Sequence, residues 1–481
     1  MPGRPFLPYL PLLENPPAAD PFALRVTRSG IENSRGEFVL YWAQSARRLS
    51  HNLAFEYAIR TANEARLPLL VYESIRSDYP AANDRVHTFV LDGVRDNAAD
   101  AERRGARYSF FLPRTRDEAR GVLRRLSARA RLVVTDEFPT FVVRDHTASF
   151  RSRSPVAVHL VDGNGILPMR FFEKEQYSAR FLRDRAHRAF PDWWAPPPDE
   201  SRAAAFRGEL GFDEYDGQDP AGASRSCDID HSLAPAPLSG GRRAAIDRLS
   251  SFVASGLTGY AEGRNKSPRH VSGLSPYLHF GFLGIHEVAS AVLRSGAPAE
   301  DIDSFLEEAI IRRELSFNMC FFRPDHHSLS ALPDWARRTL DAHRRDRRKP
   351  EFSYEEMEGA QTYDEVWNLA QRQLLACGTM HGYLRMLWGK KIIEWSATPE
   401  DAHTTMVLLH ERYALDGRDP NTHAGVLWCF GKHDRPWFPE RPIFGTIRYM
   451  SSDSTTKKVR LAEIEKIVTG CEANARNPAA S

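Results

Sequence analysis

Cysteine is scarce in this chain. Its five cysteines are scattered and include no CxxC pair and no Cys/His cluster. This spacing predicts neither a disulfide framework nor a metal site, and it favours a reducing cytoplasm. Residues 1–17 are rich in proline and lack a basic start followed by a long apolar core, which argues against a secretory signal.

Long hydrophobic runs and an excess of charge are also missing. No stretch reaches about 18 consecutive apolar residues, so the sequence predicts no membrane span. The net charge of the 481-residue chain is only +2, which by itself predicts no nucleic-acid binding. Two basic runs, residues 344–349 and 457–460, are more typical of solvated faces or loops than of a binding patch. The length favours two or more domains.

Residues 1–168 alternate short apolar stretches with amphipathic ones. Apolar runs rich in β-branched and aromatic residues predict five strands, at residues 38–42, 69–72, 108–112, 132–135 and 156–161. Amphipathic segments predict helices at residues 53–65, 86–103 and 116–128. This alternation indicates an α/β domain with a Rossmann-like parallel sheet covered on both faces. Ligands of such sheets bind at the carboxyl ends of the strands, but no GxGxxG or Walker motif is present to hold a nucleotide.

The character of the sequence changes after residue 168. Residues 169–242 carry prolines 196–198 and many charges, which predicts an interdomain linker with a helix at residues 174–187. Residues 243–481 show helical spacing, with helices predicted at residues 285–293, 302–319, 363–377, 383–395 and 399–410. The predicted fold class is therefore α/β, with an all-α C-terminal domain after the N-terminal sheet domain.

The most distinctive feature is a set of tryptophans beside a polar loop. Trp367, Trp388 and Trp395 are 21 and 7 residues apart, as expected of a protein that moves electrons into a buried redox cofactor. Four further strings accompany them: Tyr-Ala-Glu-Gly-Arg-Asn at 260–265, Ser-Gly-Leu-Ser-Pro-Tyr-Leu-His-Phe-Gly at 272–281, Leu-Asp-Gly-Arg-Asp-Pro-Asn at 415–421 and Arg-Pro-Ile-Phe-Gly at 441–445. In combination these residues resemble the photolyase/cryptochrome family, and more narrowly the class II cyclobutane pyrimidine dimer photolyases.

The resemblance implies what the protein binds and does. It implies FAD held in a bent shape by the helical domain, with blue light driving an electron from the reduced flavin to a pyrimidine dimer in UV-damaged DNA. It also implies a second, antenna chromophore, either a deazaflavin or a folate, and no short motif decides between the two. The chain is expected to act as a monomer.

By the resemblance, ten residues contact the flavin: Tyr260, Ser272, Gly273, Leu274, Ser275, Arg385, His410, Asp416, Asp419 and Asn421. An arginine beside the flavin ring would favour its negatively charged reduced form. Each group also has an ordinary interpretation. Residues 272–275 could be a helix start with Ser275 as N-cap, Arg385 and Asp416 a buried ion pair, and residues 419–421 a turn. A helix start and a phosphate site are compatible, because helix N-termini attract phosphate.

The three tryptophans match an electron relay of the family. By the resemblance Trp388 is nearest the flavin, Trp367 is intermediate and Trp395 is the surface end. Trp388 and Trp395 would lie on one helix face, roughly 10 Å apart along it. Without the resemblance, core packing would be the better interpretation of such a stripe.

For the damaged DNA the resemblance implies a lesion pocket and a bracing surface. Glu308 is expected to contact the lesion as a neutral acid in an apolar cleft, donating a hydrogen bond. Met386 and Trp428 would line the pocket that receives the flipped-out dimer, although core packing is the alternative for both. Three residues are expected to fill and brace the hole left in the duplex: Arg435, Trp437 and Arg448.

One position departs from the class II pattern. His410, in the string His-Glu-Arg-Tyr, stands where an asparagine usually faces flavin N5. A histidine can also serve N5, but its charge depends on pH. We therefore expect the lifetime of the partly reduced flavin to vary between about pH 5 and 8.

Two other functions are compatible with the sequence. A cryptochrome-like photoreceptor would bind FAD with little or no repair, and the departure at His410 leaves room for it. An α/β nucleotide-binding module with a helical interaction domain would bind no flavin, so a yellow protein with FAD absorbance would exclude it. The lesion type also has an alternative, since (6-4) enzymes use a histidine pair, whereas Met386 and Glu308 match the dimer-repair class.

Overall fold

The N-terminal part is built on a six-stranded sheet. The computed structural model describes residues 5–15, 20–194 and 201–476. The strands are β1 Val26–Ser29, β2 Phe38–Ala43, β3 Leu69–Ser74, β4 Arg107–Phe111, β5 Ala130–Asp136 and β6 Ala157–Val161. Their order in the sheet is β1-β6-β5-β2-β3-β4. β2 to β6 pair in parallel, and β1 runs antiparallel beside β6.

All five predicted strands are confirmed, each within two residues of its predicted ends. β2 and β6 are buried along their whole length, which explains why they are continuous apolar runs in the sequence. β1 is not predicted, because Val26–Ser29 is short, partly polar and lies at the edge of the sheet.

Helices cover both faces of the sheet, as predicted. Alternate residues of β2 enter two different cores: Val39 and Tyr41 pack with one face, whereas Leu40 and Trp42 pack with the other. The helices in this part are α1 Leu53–Ala65, α2 Asp84–Leu91, α3 Val94–Arg103, α4 Arg116–Ala119, α5 Val122–Arg129 and α6 Phe141–Arg151. α1 packs in the first core and α5 in the second.

Two predicted helices are divided by glycines. The segment 86–103 breaks between α2 and α3 at Gly93, where a Cβ would lie 2.5 Å from the Phe282 ring, so only glycine permits this approach. The segment 116–128 breaks between α4 and α5 at Gly121, whose φ of +76° disfavours any residue with a side chain. The predicted helix at 53–65 has the bounds of α1.

The segment after the sheet wraps over it. Leu69 N donates to Ala204 O at 2.7 Å, and Phe206 packs on Phe38 with ring centroids 4.4 Å apart. The segment contains α7 Ala179–Trp193 and α8 Pro220–Arg225, and it leads into α9 Gly241–Ser255. α7 begins five residues after the predicted start at 174. The predicted prolines 196–198 lie outside the described residues, and the predicted domain limits at 168 and 242 stay a prediction.

The rest of the described chain is helical, as predicted. Its helices are α10 Tyr260–Gly263, α11 Ser275–His279, α12 Ile285–Leu293, α13 Ala299–Leu306, α14 Arg313–Phe322, α15 Asp334–Ala342, α16 Tyr354–Glu358, α17 Glu365–Cys377, α18 Gly382–Trp395, α19 Pro399–Tyr413, α20 Pro420–Cys429, α21 Ser452–Thr456 and α22 Leu461–Arg476. The predicted helix 302–319 is interrupted by a π-helical turn, Glu307–Arg312, between α13 and α14. Such turns are frequent at functional sites.

The structure also bears on membrane spans, metal sites and disulfides among the described residues. None of their helices combines the length and the apolar character that crossing a bilayer requires. No three His, Cys, Asp or Glu side chains among them are arranged to hold a metal ion. The five cysteines are free thiols, and Cys377 Sγ lies 2.7 Å from Cys471 Sγ.

Arg85 on α2 ties the helical part to the sheet domain. Its guanidinium donates to the carbonyl oxygens of Leu374 at 3.3 Å and Leu375 at 2.6 Å, in the last turn of α17. It also donates to Tyr413 O at the end of α19, at 2.9 Å. Burial lowers the pKa of Arg85 to about 10, which leaves it charged at neutral pH. One cation therefore pairs with the carboxyl ends of two helices that surround the tryptophans.

Replacing Arg85 with methionine tests this clamp. Methionine keeps much of the side-chain volume but cannot donate to the three carbonyl oxygens, so we expect a loss of about 2–4 kcal/mol in the free energy of unfolding. Urea denaturation followed by circular dichroism measures it, with Arg345→Met at an exposed position as control. Equal stability of the two variants would show that the clamp contributes little.

Candidate functional site

Two indole N–H groups lock α17 to α18. Trp367 Nε1 on α17 donates to the backbone oxygen of Trp388 on α18 at 3.0 Å. In return, Trp388 Nε1 donates to Gln371 Oε1 on α17 at 2.8 Å. The two buried rings are parallel within 1°, with centroids 6.4 Å apart. Because a buried N–H left unpaired costs free energy, this exchange stabilises one register of the two helices.

Trp395 joins this row through Trp367, although it shares α18 with Trp388. Its ring centroid is 5.3 Å from that of Trp367, in an edge-to-face arrangement. The prediction that Trp395 is the surface end is wrong. Phe352 and Tyr363 pack against its ring, and only 1 % of Trp395 is exposed. The structure therefore brings the three tryptophans together, and all three are buried.

Arg385 and Asp416 form the ion pair that the sequence suggested. An Arg385 guanidinium nitrogen lies 3.2 Å from Asp416 Oδ1, and the arginine is partly exposed. Burial raises the pKa of Asp416, but the charge of Arg385 and a hydrogen bond from Ser275 outweigh it, and the pKa is below its ordinary value. Arg385 is three residues before Trp388, so the pair lies within one helical turn of the tryptophan row.

His410 on α19 packs edge-on against Trp388, with ring centroids 4.9 Å apart. Its Nδ1 lies 2.7 Å from the Met406 carbonyl oxygen, which can only accept, so Nδ1 carries the proton of the neutral ring. Burial, aided by the charge of Arg385, lowers the pKa of His410 to about 4. The ring is therefore neutral between about pH 5 and 8, whereas the predicted pH dependence of the flavin lifetime stays a prediction.

The loop 272–275 lies against a cation that the sequence interpretation missed. Arg248 on α9 donates to the Ser272 carbonyl oxygen at 2.6 Å. Gly273 has a φ of +67°, which favours glycine, and a Cβ there would lie 2.8 Å from Arg248 Nε. Leu274 is buried, whereas Ser275 is exposed. α11 begins at Ser275, one residue earlier than predicted, and Ser275 is not its N-cap.

Two contacts pin the polar loop 416–421 to α11. Ser275, at the start of α11, bonds to Asp416, and His279 Nδ1, at its end, lies 3.2 Å from Asp419 Oδ2. Asp419 caps α20 by accepting from the backbone nitrogen of Asn421 at 2.9 Å and from its side chain at 2.6 Å. Residues 419–421 therefore begin a helix and do not form a separate turn, and Asn421, in the first turn of α20, is exposed.

Glu308, on the π-helical turn, is not in an apolar cleft. Its carboxylate lies 2.6 Å from the Arg264 guanidinium, and 37 % of its side chain is exposed. The predicted apolar cleft is therefore wrong, and the neutral state predicted for Glu308 stays a prediction. Arg264 also lies 5.8 Å from the Tyr260 ring centroid, and burial, with the charge of Glu308, raises the pKa of Tyr260 to about 12. Contact of Glu308 with a lesion stays a prediction.

The residues predicted to meet DNA form two groups. Met386 and Trp428 are half-buried, and the Arg312 guanidinium lies 5.6 Å from the Trp428 ring centroid. Trp437 lies against two guanidinium groups, at 4.4 and 4.9 Å from its ring centroid, which belong to Arg435 and Arg448. Beside Trp437, Phe438 exposes 76 % of its surface, and the sequence interpretation missed it.

A cavity of about 600 Å³ lies at the carboxyl ends of β2 and β3, the edge where ligands of such a sheet are expected. Its aromatic walls include Trp42, Tyr72, Phe138 and Phe150. Among the described residues that line it, seven are arginines and none is a carboxylate; the arginines are Arg47, Arg76, Arg116, Arg120, Arg124, Arg153 and Arg418. None of the ten residues predicted to contact a flavin lines this cavity, so it is a separate site.

The sequence interpretation missed both Gln371 and Arg248, but only Gln371 could have been found from its spacing in the sequence. Gln371 is four residues after Trp367, so helical spacing places it on the same face as that tryptophan. Arg248 carries no such signal, because it reaches the 272–275 loop from a different helix.

Comparison with known proteins decides the family. The deoxyribodipyrimidine photo-lyase of Methanothermobacter thermautotrophicus is 36 % identical over 438 residues, which cover 91 % of this chain and 95 % of that protein. This chain belongs to the deoxyribodipyrimidine photo-lyase family. A scan against family models found no match.

Solved structures share the fold of this photo-lyase family member. A bacterial class III photolyase from Agrobacterium tumefaciens gives a TM-score of 0.64 at 20 % identity, covering 89 % of this chain and 85 % of that one. An archaeal photolyase from Sulfolobus tokodaii, solved with two FAD molecules, gives 0.62 at 14 % identity, covering 84 % and 85 %. The predicted family resemblance and two-part fold are confirmed, whereas the class II assignment stays a prediction.

The variant His410→Asn should make this protein less sensitive to acid. Between the folded-state pKa of about 4 and the ordinary value near 6.5, the unfolded chain binds a proton that the folded chain does not. Stability therefore falls as the pH drops through this window. Asparagine does not titrate, so the loss of unfolding free energy from about pH 7 to about pH 5 should shrink by on the order of 1 kcal/mol.

Urea denaturation at the two pH values measures this difference. His327→Asn, at an exposed position, is the matched control. If His410→Asn loses as much stability on acidification as the parent does, His410 is not the neutral buried base described above.

Proposed function

We propose that this protein is a light-dependent DNA-repair lyase that binds FAD and splits cyclobutane pyrimidine dimers in UV-damaged DNA. The observation that carries the proposal is the hydrogen-bonded pair Trp367 and Trp388. The Trp388 ring packs against His410, and Trp388 is one helical turn from Arg385, which pairs with Asp416. This buried row of oxidisable indole rings leads to the partly exposed ion pair of Arg385 and Asp416. Such an arrangement suits the transfer of single electrons to a flavin bound beside that pair. The Methanothermobacter relative is named a deoxyribodipyrimidine photo-lyase, which supports this choice.

The polar groups around the tryptophan row fit FAD. Ser275 and Asn421 are exposed and Arg385 is partly exposed, so these side chains are accessible to a ligand. The loop at Gly273 suits a pyrophosphate, because glycine lets the backbone approach closely and the adjacent Arg248 offsets the negative charge. Four further residues are proposed contacts: Tyr260, Ser272, Leu274 and Asp419.

The residues of the chain have distinct tasks toward the flavin. Bound FAD would supply the absorption of light and the exchange of an electron with the dimer. Arg385 would stabilise negative charge on the flavin, and Asp416 would keep Arg385 oriented. His410, protonated on Nδ1, has only Nε2 left, and that nitrogen can accept but not donate. The asparagine usual at this position can either donate or accept a hydrogen bond. His410 would therefore favour a flavin N5 that carries a proton.

On the DNA side, Met386 and Trp428 would form walls for the flipped-out dimer and replace the stacking that it loses. Glu308, held by Arg264, would offer a carboxyl oxygen that accepts a hydrogen bond from a pyrimidine N–H. Four residues would fill and brace the gap in the duplex, since they combine exposed aromatic surface with cations for phosphates: Arg435, Trp437, Phe438 and Arg448.

A cryptochrome-like photoreceptor is the alternative that would also bind FAD. The aromatic and cationic surface at residues 435–448 favours an enzyme that engages DNA. The motif resemblance supports the class II assignment within the family. We also propose a monomer that acts in the cytoplasm, a compartment compatible with five free thiols.

We further propose that the cavity at β2 and β3 holds the antenna chromophore. Its aromatic walls suit a planar ring, and its arginines suit negative charge on the ligand. Glu73 already pairs with Arg47, Asp78 with Arg76 and Arg116, and Asp117 with Arg120. Among the described residues this leaves Arg124, Arg153 and Arg418 to attract the ligand. A deazaflavin and a folate both remain candidates. The Sulfolobus tokodaii photolyase with two FAD molecules is a precedent for a second chromophore.

Repair of a defined lesion tests the proposed function. The reduced, flavin-loaded protein is incubated with an oligonucleotide bearing one cyclobutane thymine dimer, under blue light and in darkness. We expect the ultraviolet absorbance of intact thymine to recover in the light alone. A flavin-loaded protein that restores no thymine would favour the photoreceptor, and a protein that takes up no FAD would exclude both functions.

The variant Trp388→Phe separates electron supply from repair. Phenylalanine fills most of the space but is not oxidised under these conditions, so photoreduction of oxidised FAD should be lost. A pre-reduced variant should still split dimers at close to the parent rate, because repair itself does not use the row. Flavin absorbance under illumination measures the first effect, and Trp193→Phe, outside the row, is the control. Photoreduction at the parent rate in Trp388→Phe would refute the role of the row.

Charge reversal in the cavity tests the antenna proposal. Arg124→Glu should lower the occupancy of added deazaflavin or folate, because it places a carboxylate among arginines. Absorbance of the reconstituted protein measures the occupancy, and an unchanged FAD content shows that the fold is intact. Arg345→Glu, outside the cavity, is the control. Equal chromophore occupancy in the two variants would contradict an antenna site held by charge.

A further inference from the structure

The tryptophan row does not reach the surface by itself. Trp367, Trp388 and Trp395 are each at most 1 % exposed. A row that draws electrons from a reductant in solution needs a terminal member in contact with that reductant. The structure therefore leaves the outer end of the row without an exposed tryptophan among its three members.

Tyr363 occupies that outer end. Its ring centroid lies 5.7 Å from that of Trp395, in an edge-to-face arrangement, and 59 % of Tyr363 is exposed. The spacing matches the steps within the row, which are 6.4 Å from Trp388 to Trp367 and 5.3 Å from Trp367 to Trp395. Phe352 also touches Trp395, at 5.1 Å, but its unsubstituted ring is much harder to oxidise than a phenol.

The backbone around Tyr363 is held although its ring is exposed. Asp364 caps α17 by accepting from Trp367 N at 3.1 Å. On the other side, Thr362 N donates to Asn368 Oδ1 at 3.1 Å. Tyr363 is thus fixed at the start of the helix that carries Trp367, and its distance to the row is set by that helix.

Proton release distinguishes Tyr363 from Trp395. Within the described residues Trp395 Nε1 has no hydrogen-bond acceptor, so an oxidised Trp395 has nowhere to deliver its N–H proton. An exposed phenol can pass its proton to water as it loses an electron. The nearby charge of Lys391, 5.5 Å from the Trp395 ring, is offset by Asp364 at 3.7 Å and Glu394 at 3.0 Å. Release of the phenolic proton to water, more than the charges near Trp395, therefore favours oxidation of Tyr363.

We propose that Tyr363 is the terminal electron donor of the row, an inference that rests on the proposed function. After Trp388 has given one electron to the light-excited cofactor, Trp367 refills Trp388 and Trp395 refills Trp367. Tyr363 then gives one electron to Trp395 and its phenolic proton to water, which leaves a neutral tyrosyl radical. A dithiol in solution returns one hydrogen atom to Tyr363, and two such transfers convert the dithiol into its disulfide.

The variant Tyr363→Phe tests the proposal in the flavin-loaded protein. Illuminated samples frozen within the lifetime of the radical are examined by electron paramagnetic resonance, with protein grown on ring-deuterated tyrosine to identify the signal. We expect the tyrosyl signal to be lost in Tyr363→Phe and kept in Tyr177→Phe, a control at a similarly exposed tyrosine. Photoreduction with dithiothreitol should also slow several-fold in Tyr363→Phe alone.

The outcomes separate this inference from the proposed function. An unchanged tyrosyl signal and photoreduction rate in Tyr363→Phe, with photoreduction lost in Trp388→Phe, would overturn the role of Tyr363 and leave the tryptophan row intact. Photoreduction that survives in both variants would overturn the row as well. Nitration of the flavin-free protein by tetranitromethane, mapped by mass spectrometry, is a readout without cofactor. Tyr363 should react ahead of buried Tyr260, and an unreactive Tyr363 would contradict its terminal position.

Discussion

The reciprocal indole hydrogen bonds between α17 and α18 are the constraint on which the site depends. Leaving either buried N–H unpaired would cost about 1–3 kcal/mol, so the two helices cannot slide without losing both bonds together. α18 also carries Arg385 and Met386, so its register sets the position of the charged pair and of one wall of the lesion pocket. Arg85 extends the constraint to the sheet domain by holding the ends of α17 and α19.

The charges around this constraint do not change near neutral pH. The pKa of Asp416 is below its ordinary value because of Arg385 and Ser275, burial lowers the pKa of His410 to about 4, and burial raises the pKa of Tyr260 to about 12. The charge of each is therefore constant between about pH 5 and 8. Light-driven electron transfer would thus occur while the protonation states of these three residues stay constant. The exposed Tyr363 is the residue from which a proton can pass to water.

Much of the fold could be predicted, because buried parallel strands and amphipathic helices leave strong local patterns. The strand β1 left none, and Gly93 and Gly121 break helices for reasons of packing and backbone angle that periodicity does not show. At the site, the resemblance selected Trp367, Trp388, Arg385 and Asp416, which the structure brings together. It could not indicate that Trp395 is covered, that Glu308 is paired with Arg264 or that His410 is neutral. Each of these depends on residues distant in sequence that determine burial and charge.

Uptake of FAD by the flavin-free protein in darkness is the most direct measurement of the central claim that the interlocked tryptophans face a flavin. Titration followed by flavin fluorescence reports both binding and the distance to an electron donor. We expect saturable uptake in the helical part, with the fluorescence of the bound flavin strongly quenched in the parent and largely restored in Trp388→Phe. No uptake, or uptake with equally bright fluorescence in both proteins, would contradict the claim.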